Sequence, residues 1–137
     1  MKVVRVNLGA RSYDIVIGGD ILGKSRTLFQ QHKVGSRLFL ISNPTVFELY
    51  GKDWIRQFEA APFEVTYFLI PDGEKYKTLQ TVENIYTYLL VQQADRNSVL
   101  VALGGGVTGD IVGFVAATFL RGIPYIQIPT TLLAQVD

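Results

Sequence analysis

The sequence predicts an α/β fold, an open and mostly parallel sheet entered through an N-terminal β-hairpin, and three observations carry that expectation. Four apolar runs, "RLFLIS" (37–42), "FEVTYFLI" (63–70), "SVLVALG" (98–104) and "IPYIQIP" (123–129), are long enough for strands and too short for helices. The segments between them carry helical spacing or N-cap signals, so strand and helix alternate. "SVLVALG" has no polar side chain after Ser98, the composition of a strand buried on both faces of a parallel sheet. Such alternation implies right-handed crossover connections.

Each element follows in order. "KVVRVNL" (2–8) and "SYDIVIG" (12–18) are rich in β-formers and joined by Gly9-Ala10-Arg11, which suits a hairpin. Asp20, after Gly18-Gly19, is the expected N-cap of a helix carrying Ile21, Leu22, Leu28 and Phe29. After the strand 37–42, Asn43-Pro44-Thr45 turns the chain into a helical stretch. Gly51 is expected to break it, "KDWIRQFEA" (52–60) to resume it, and Pro62 to close it. "PDGEKYK" (71–77) is a loop by its Pro, Asp and Gly. Thr78 then caps a helix whose apolar face is Leu79, Val82, Ile85, Tyr86, Leu89 and Leu90. "ADRN" (94–97) is a turn. A glycine loop follows the strand 98–104, and Val107–Leu120 reads as a helix ended by Gly122. "TTLLAQVD" (130–137) begins a further helix.

Composition narrows the function. The 137 residues suit one domain, 1–137, and the net charge of +1 gives no basic surface for nucleic acid or anionic lipid. There is no cysteine, so disulfides, thiolate metal sites and thiol nucleophiles are excluded. The N-terminus carries charges every few residues and no apolar core of a signal peptide, and a cytoplasmic protein is expected. Between Val99 and Val136 the only charges are Asp110 and Arg121. A membrane span does not fit, because Asp110 sits mid-stretch behind a triple glycine. The helix after it is apolar nearly all round (Ile111, Val112, Phe114, Val115, Phe119, Leu120), more than one sheet can cover.

Most of the residues with chemical potential follow strands. Gly104-Gly105-Gly106 between strand and helix lets a ligand approach the main chain and aims helix N–H groups at an anion such as a pyrophosphate. A plain tight turn would use the same glycines. Asp110 calls for a ligand hydroxyl or a basic partner. Asp72, Glu74, Lys75 and Lys77 offer acceptors for ribose hydroxyls and cations for phosphates. Thr130 and Thr131 open a helix after a strand, as ligand contacts or as a cap. Arg121 reads as a snorkelling surface cation or a phosphate contact. His32 is a surface residue, and one histidine makes no metal site. In a parallel sheet these loops share the carboxyl edge, where open α/β folds bind nucleotides.

Three runs, "PDGEKYKTL", "ALGGGVTGDIVGFVAATFLRGI" and "QIPTTLLAQVD", resemble the N-terminal domain of the 3-dehydroquinate synthase family, and the likeness extends from the "RSYDIVIG" hairpin onward. The resemblance implies a Rossmann-like domain, NAD as cofactor, a divalent metal (zinc or cobalt) and a homodimer. It also implies conversion of the seven-carbon sugar acid phosphate DAHP into 3-dehydroquinate and phosphate in the shikimate pathway. Cofactor contacts would fall on Asp72, Gly73, Glu74, Lys75, Tyr76 and Lys77, on Gly105, Gly106, Val107, Thr108, Gly109 and Asp110, and on Thr130 and Thr131. Asn43 matches a position near the adenosine that is often Asp, and Thr108 stands where Ile or Val is usual. Arg121 matches an arginine contacting substrate phosphate, its own or a neighbouring subunit's, and Asp137 an active-site aspartate. The family continues with a helical domain bearing a glutamate and two histidines as metal ligands, which these 137 residues lack; 132–137 would begin the connection to it. Sister sugar phosphate cyclases share these features. Metal-dependent glycerol and alcohol dehydrogenases typically carry lysine three residues after the motif aspartate, where this chain has Gly113.

Overall fold

The computed structural model describes residues 1–137, which divide into two compact units, Met1–Lys33 and Val34–Asp137. In the first, β1 (Lys2–Val6) pairs antiparallel with β2 (Tyr13–Ile17), as the hairpin pattern predicts. Arg5 and Asp14 face each other across the pair at 2.9 Å. Helix α1 (Ser25–Gln31) follows a 3-10 turn at Leu22–Lys24. Asp20 does not cap it: its backbone is left-handed (φ 55°), and the residue preceding α1 is Lys24, with no side-chain cap.

The second unit holds a parallel sheet in the order β4-β3-β5-β6, with β3 (Arg37–Ser42), β4 (Glu64–Leu69), β5 (Val99–Gly104) and β6 (Tyr125–Pro129). β5 is buried along its whole length, as its sequence predicts. Pleating sends Phe39, Ile41, Leu100 and Ala102 to one face, where they meet Val82, Ile85 and Leu89 of α4 (Leu79–Val91) and Ile111, Val112 and Val115 of α5 (Gly106–Thr118). On the other face Tyr67, in register with Leu40, stacks on Phe47 at 4.4 Å between ring centroids.

Phe47 belongs to a helical run that does not break at Gly51. α2 (Pro44–Val46), a π turn (Phe47–Gly51) and α3 (Lys52–Arg56) are continuous. A Cβ at Gly51 would lie 2.4 Å from Phe47 Cδ2, so this glycine makes room for the ring in the wide turn. One other expectation also needs correction. Leu79 (76% exposed) and Leu90 (63%) lie off the buried face of α4, which is narrower than the sequence pattern suggested. The apolar α5 is covered incompletely, as the sequence pattern implied: Phe114 is 49% exposed. At the far end of α4 the Arg37 guanidinium donates to the carbonyls of Gln92 and Gln93, satisfying the last turn, while lying 5.3 Å above the Phe39 ring.

Candidate functional site

From β3 the chain moves to β4 on one side, and from β5 to β6 on the other. Between β3 and β5 lies a topological switch point, the crevice where open α/β sheets take ligands at their carboxyl edge. Parallel register brings four loops to that edge: Asn43 after β3, Asp72 after β4, Gly105 after β5 and Thr130 after β6. Thr130 is fastened there by its N–H donating 2.9 Å to the Gly104 carbonyl.

Four helices open toward this edge, and three carry their own side-chain caps. Asn43 Oδ1 accepts from the Val46 N–H (2.8 Å) to cap α2, and Thr78 Oγ1 accepts from the Thr81 N–H (3.2 Å) to cap α4. Thr131 Oγ1 accepts from the Ala134 N–H (3.2 Å) to cap α6 (Leu132–Val136). The fourth, α5, begins at Gly105 without a side-chain cap. It is also one of the two longest helices, 13 residues, so its first-turn N–H groups carry a developed helix dipole with no side-chain acceptor of their own.

The three glycines of this loop differ in what they do. None has a positive φ, so none is required by a left-handed backbone. A Cβ at Gly104 would lie 2.7 Å from Thr108 Oγ1 and one at Gly105 3.0 Å from Thr131 Cγ2, so both allow close packing. At Gly106 a Cβ would meet nothing within 4 Å. No internal contact requires glycine at 106; the open space beside the first turn of α5 is what a side chain there would fill.

Asp110, one turn into α5, is half-exposed, and its basic partner is Lys77, whose Nζ lies 2.7 Å from Asp110 Oδ2. The bond ties the "PDGEKYK" loop to the glycine-loop helix. The hydrogen bond and charge of Asp110 raise the Lys77 ammonium above its ordinary 10.5, and Glu74 and Asp137 add smaller contributions of the same sign. A raised cation favours folding at every pH below its unfolded-state value and loses that contribution only as pH climbs through the folded value, in the alkaline range. Asp110→Asn is expected to return the Lys77 pKa toward 10.5, read by NMR titration of the lysine side-chain resonances. An unmoved titration would show that the pair does not form in solution.

The remaining predicted residues take definite places. Gly73 has φ 114°, a backbone that admits glycine readily, and leads into a 3-10 turn at Glu74–Tyr76 in which Lys75 Nζ lies 5.2 Å over the Tyr76 ring. Val107 packs against the core and Thr108 is buried. Gly109 faces Gln127 of β6. Asp137 acts electrostatically on Lys77 and so belongs to the same neighbourhood. Arg121 does not: it follows the other end of α5, about 20 Å along the axis from the glycine loop. No group of three or more His, Cys, Asp or Glu side chains that could hold a metal ion comes together, and no helix is long and apolar enough to cross a membrane.

Two residues at the edge escaped the sequence reading. Ser42 is fully buried and its hydroxyl donates 2.7 Å to the Leu103 carbonyl between β3 and β5. Thr45 Oγ1 donates 2.9 Å to Asp72 Oδ2, joining the loops after β3 and β4. A polar residue ending the apolar run "RLFLIS" was a usable signal for the first; the second depends on tertiary proximity alone.

Comparison with known proteins places this geometry. The profile of the 3-dehydroquinate synthase N-terminal family matches residues 67–137. The chain is similar to the 3-dehydroquinate synthases of Pelotomaculum thermopropionicum (51% identity over the whole chain) and Pelobacter propionicus (49%). It spans 37% and 38% of their lengths, respectively. Among solved structures it resembles 2-deoxy-scyllo-inosose synthase complexed with carbaglucose-6-phosphate, NAD+ and Co2+ (27% identity, TM-score 0.81), covering 97% of this chain and 36% of that one. It also resembles the 2-epi-5-epi-valiolone synthase ValA of Streptomyces hygroscopicus subsp. jinggangensis with NAD+ and Zn2+ bound (28%, TM-score 0.80), covering 96% and 36%.

Proposed function

The chain belongs to the 3-dehydroquinate synthase N-terminal family, and from that premise we propose that it is the NAD-binding part of an enzyme converting DAHP to 3-dehydroquinate. The observation that carries the binding reading is the first turn of α5: without a side-chain cap, beside an open Gly106, at the switch point of a parallel sheet. Helix N–H groups and close main-chain approach are what a pyrophosphate needs, so the residues present fit the cofactor. Once bound, NAD supplies reversible hydride acceptance. The chain's own part is to bind and orient. The α5 amides hold the pyrophosphate, Gly106 admits it, and Lys77 and Asp110 offer a cation and an acceptor beside it. Thr130, anchored to the Gly104 carbonyl, borders the crevice from β6.

Two cyclase neighbours hold NAD+ with Co2+ or Zn2+, and the same pair of cofactors is proposed for the complete enzyme. This chain's side chains do not assemble a metal site. The higher identity to 3-dehydroquinate synthases favours DAHP over the substrates of the sister cyclases. A cytoplasmic homodimer completes the proposal, with Arg121, remote from its own glycine loop, available to a neighbouring subunit's substrate phosphate.

A polypeptide of these 137 residues is expected to bind NAD yet show no DAHP turnover with NAD and zinc. Calorimetry and a phosphate-release assay on one preparation test both halves. Failure to bind NAD would overturn the cofactor reading, and turnover would overturn the assignment of the metal ligands to another part of the enzyme.

A further inference from the structure

The strands of the parallel sheet end in a row of cross-links beneath the site, and one of these links is a side chain. The Ile70 N–H donates 2.8 Å to the Ser42 carbonyl, joining the ends of β4 and β3. The Thr130 N–H donates 2.9 Å to the Gly104 carbonyl, joining those of β6 and β5. Between these pairs, at the switch point, the β3–β5 register runs only as far as Ile41 and Ala102. The next link is the Ser42 hydroxyl, donating 2.7 Å to the carbonyl of Leu103, the residue just before the glycine loop. Ser42 is 0% exposed, so water cannot take over that bond. The other tie across the divide, Lys77 to Asp110, is exposed and correspondingly weaker.

The edge therefore consists of two halves, each joined internally by main-chain bonds: β4 with β3, and β5 with β6. An anion held by the α5 amides touches the second half alone. A dinucleotide lying across the switch point touches both, and its affinity depends on their separation. Resting on the reading that this edge binds a nicotinamide dinucleotide, we propose that Ser42 is a positioning residue that sets the width of the cofactor crevice. Its hydroxyl holds the glycine-loop half at a fixed distance from the β3–β4 half. Without it the ends of β5 and β6 shift together, which leaves the α5 amides intact but out of step with contacts on the other side.

The test measures binding of NAD and of inorganic pyrophosphate by NMR titration of the folded chain, with thermal unfolding alongside. Ser42→Ala is expected to weaken NAD binding about tenfold and pyrophosphate binding less than about twofold. Ser42→Thr keeps the hydroxyl and is expected to restore NAD binding. Ser98→Ala is the control for stability, because Ser98 is equally buried, lies just before β5 at the opposite edge, and accepts the Asp95 N–H on its hydroxyl. It is expected to lower the unfolding temperature by a similar amount while leaving both affinities unchanged. Ser42→Cys, with a weak donor of similar size, is expected to fall between serine and alanine and carries the test if the alanine variant does not fold. Unchanged NAD affinity in Ser42→Ala and Ser42→Cys overturns the proposal. An equal loss of NAD and pyrophosphate binding overturns it too, as does an equal loss of NAD affinity in Ser98→Ala. Failure of the unsubstituted chain to bind NAD, or of pyrophosphate to shift the α5 amides, defeats the cofactor reading itself, and this inference with it.

Discussion

Gly106→Val is expected to lower NAD affinity at least about 30-fold while shifting thermal unfolding by no more than about 2 °C. The separation of the two effects follows from the surroundings of the residue. A Cβ at 106 meets no protein atom within 4 Å and the backbone is not left-handed, so the fold has no objection to valine. The same branched side chain would stand in the space through which a pyrophosphate reaches the first-turn amides of α5. Hydrogen bonds to a charged group contribute about 1.5–3 kcal/mol each, so losing one strong bond and weakening another accounts for the factor. Gly104→Ala is the informative control, since its Cβ would press on the buried Thr108 at 2.7 Å. Overpacking of that kind costs about 1–3 kcal/mol with or without ligand. Equal loss of binding in Gly104→Ala, with stability retained, would contradict the division between packing and ligand-facing glycines.

That division marks where sequence reasoning stops. Strand–helix alternation and the apolar run 98–104 made the parallel sheet legible, because burial on both faces of a strand leaves a compositional trace. The loops of the site were legible for the same reason: a parallel sheet puts everything that follows a strand at one edge. What individual glycines do there was not legible. Gly51 reads as a break and proves to be room for Phe47, a contact between residues whose geometry depends on a π turn that no local pattern announces. Asp110 reads as an acid in an apolar run, yet α5 turns it outward and the partner, Lys77, lies 33 residues earlier in the chain. Asn43 is committed likewise, because its amide oxygen caps its own helix.

The same distinction between pattern and packing sets the largest expected effect on stability. Periodicity assigns Leu79 and Leu90 to the buried face of α4, and both are exposed; β3 contributes more to that core. Phe39 is 1% exposed, in the cluster that joins β3 and β5 to α4 and α5. Its ring stands edge-on to Tyr88 at 6.0 Å and lies beneath Arg37, whose guanidinium holds the end of α4. Truncation removes the ring, leaves a cavity between sheet and helix, and takes away the surface on which Arg37 rests. Phe39→Ala is therefore expected to cost about 3–5 kcal/mol, lowering the unfolding midpoint by about 10 °C or more. Leu79→Ala, an equally apolar truncation on the open side of α4, is expected to stay within about 0.5 kcal/mol. Chemical denaturation of the two variants side by side decides the matter. Comparable losses would mean that Leu79 is covered in solution, and a small loss in Phe39→Ala would mean that the α4 face of the sheet is not the core described here.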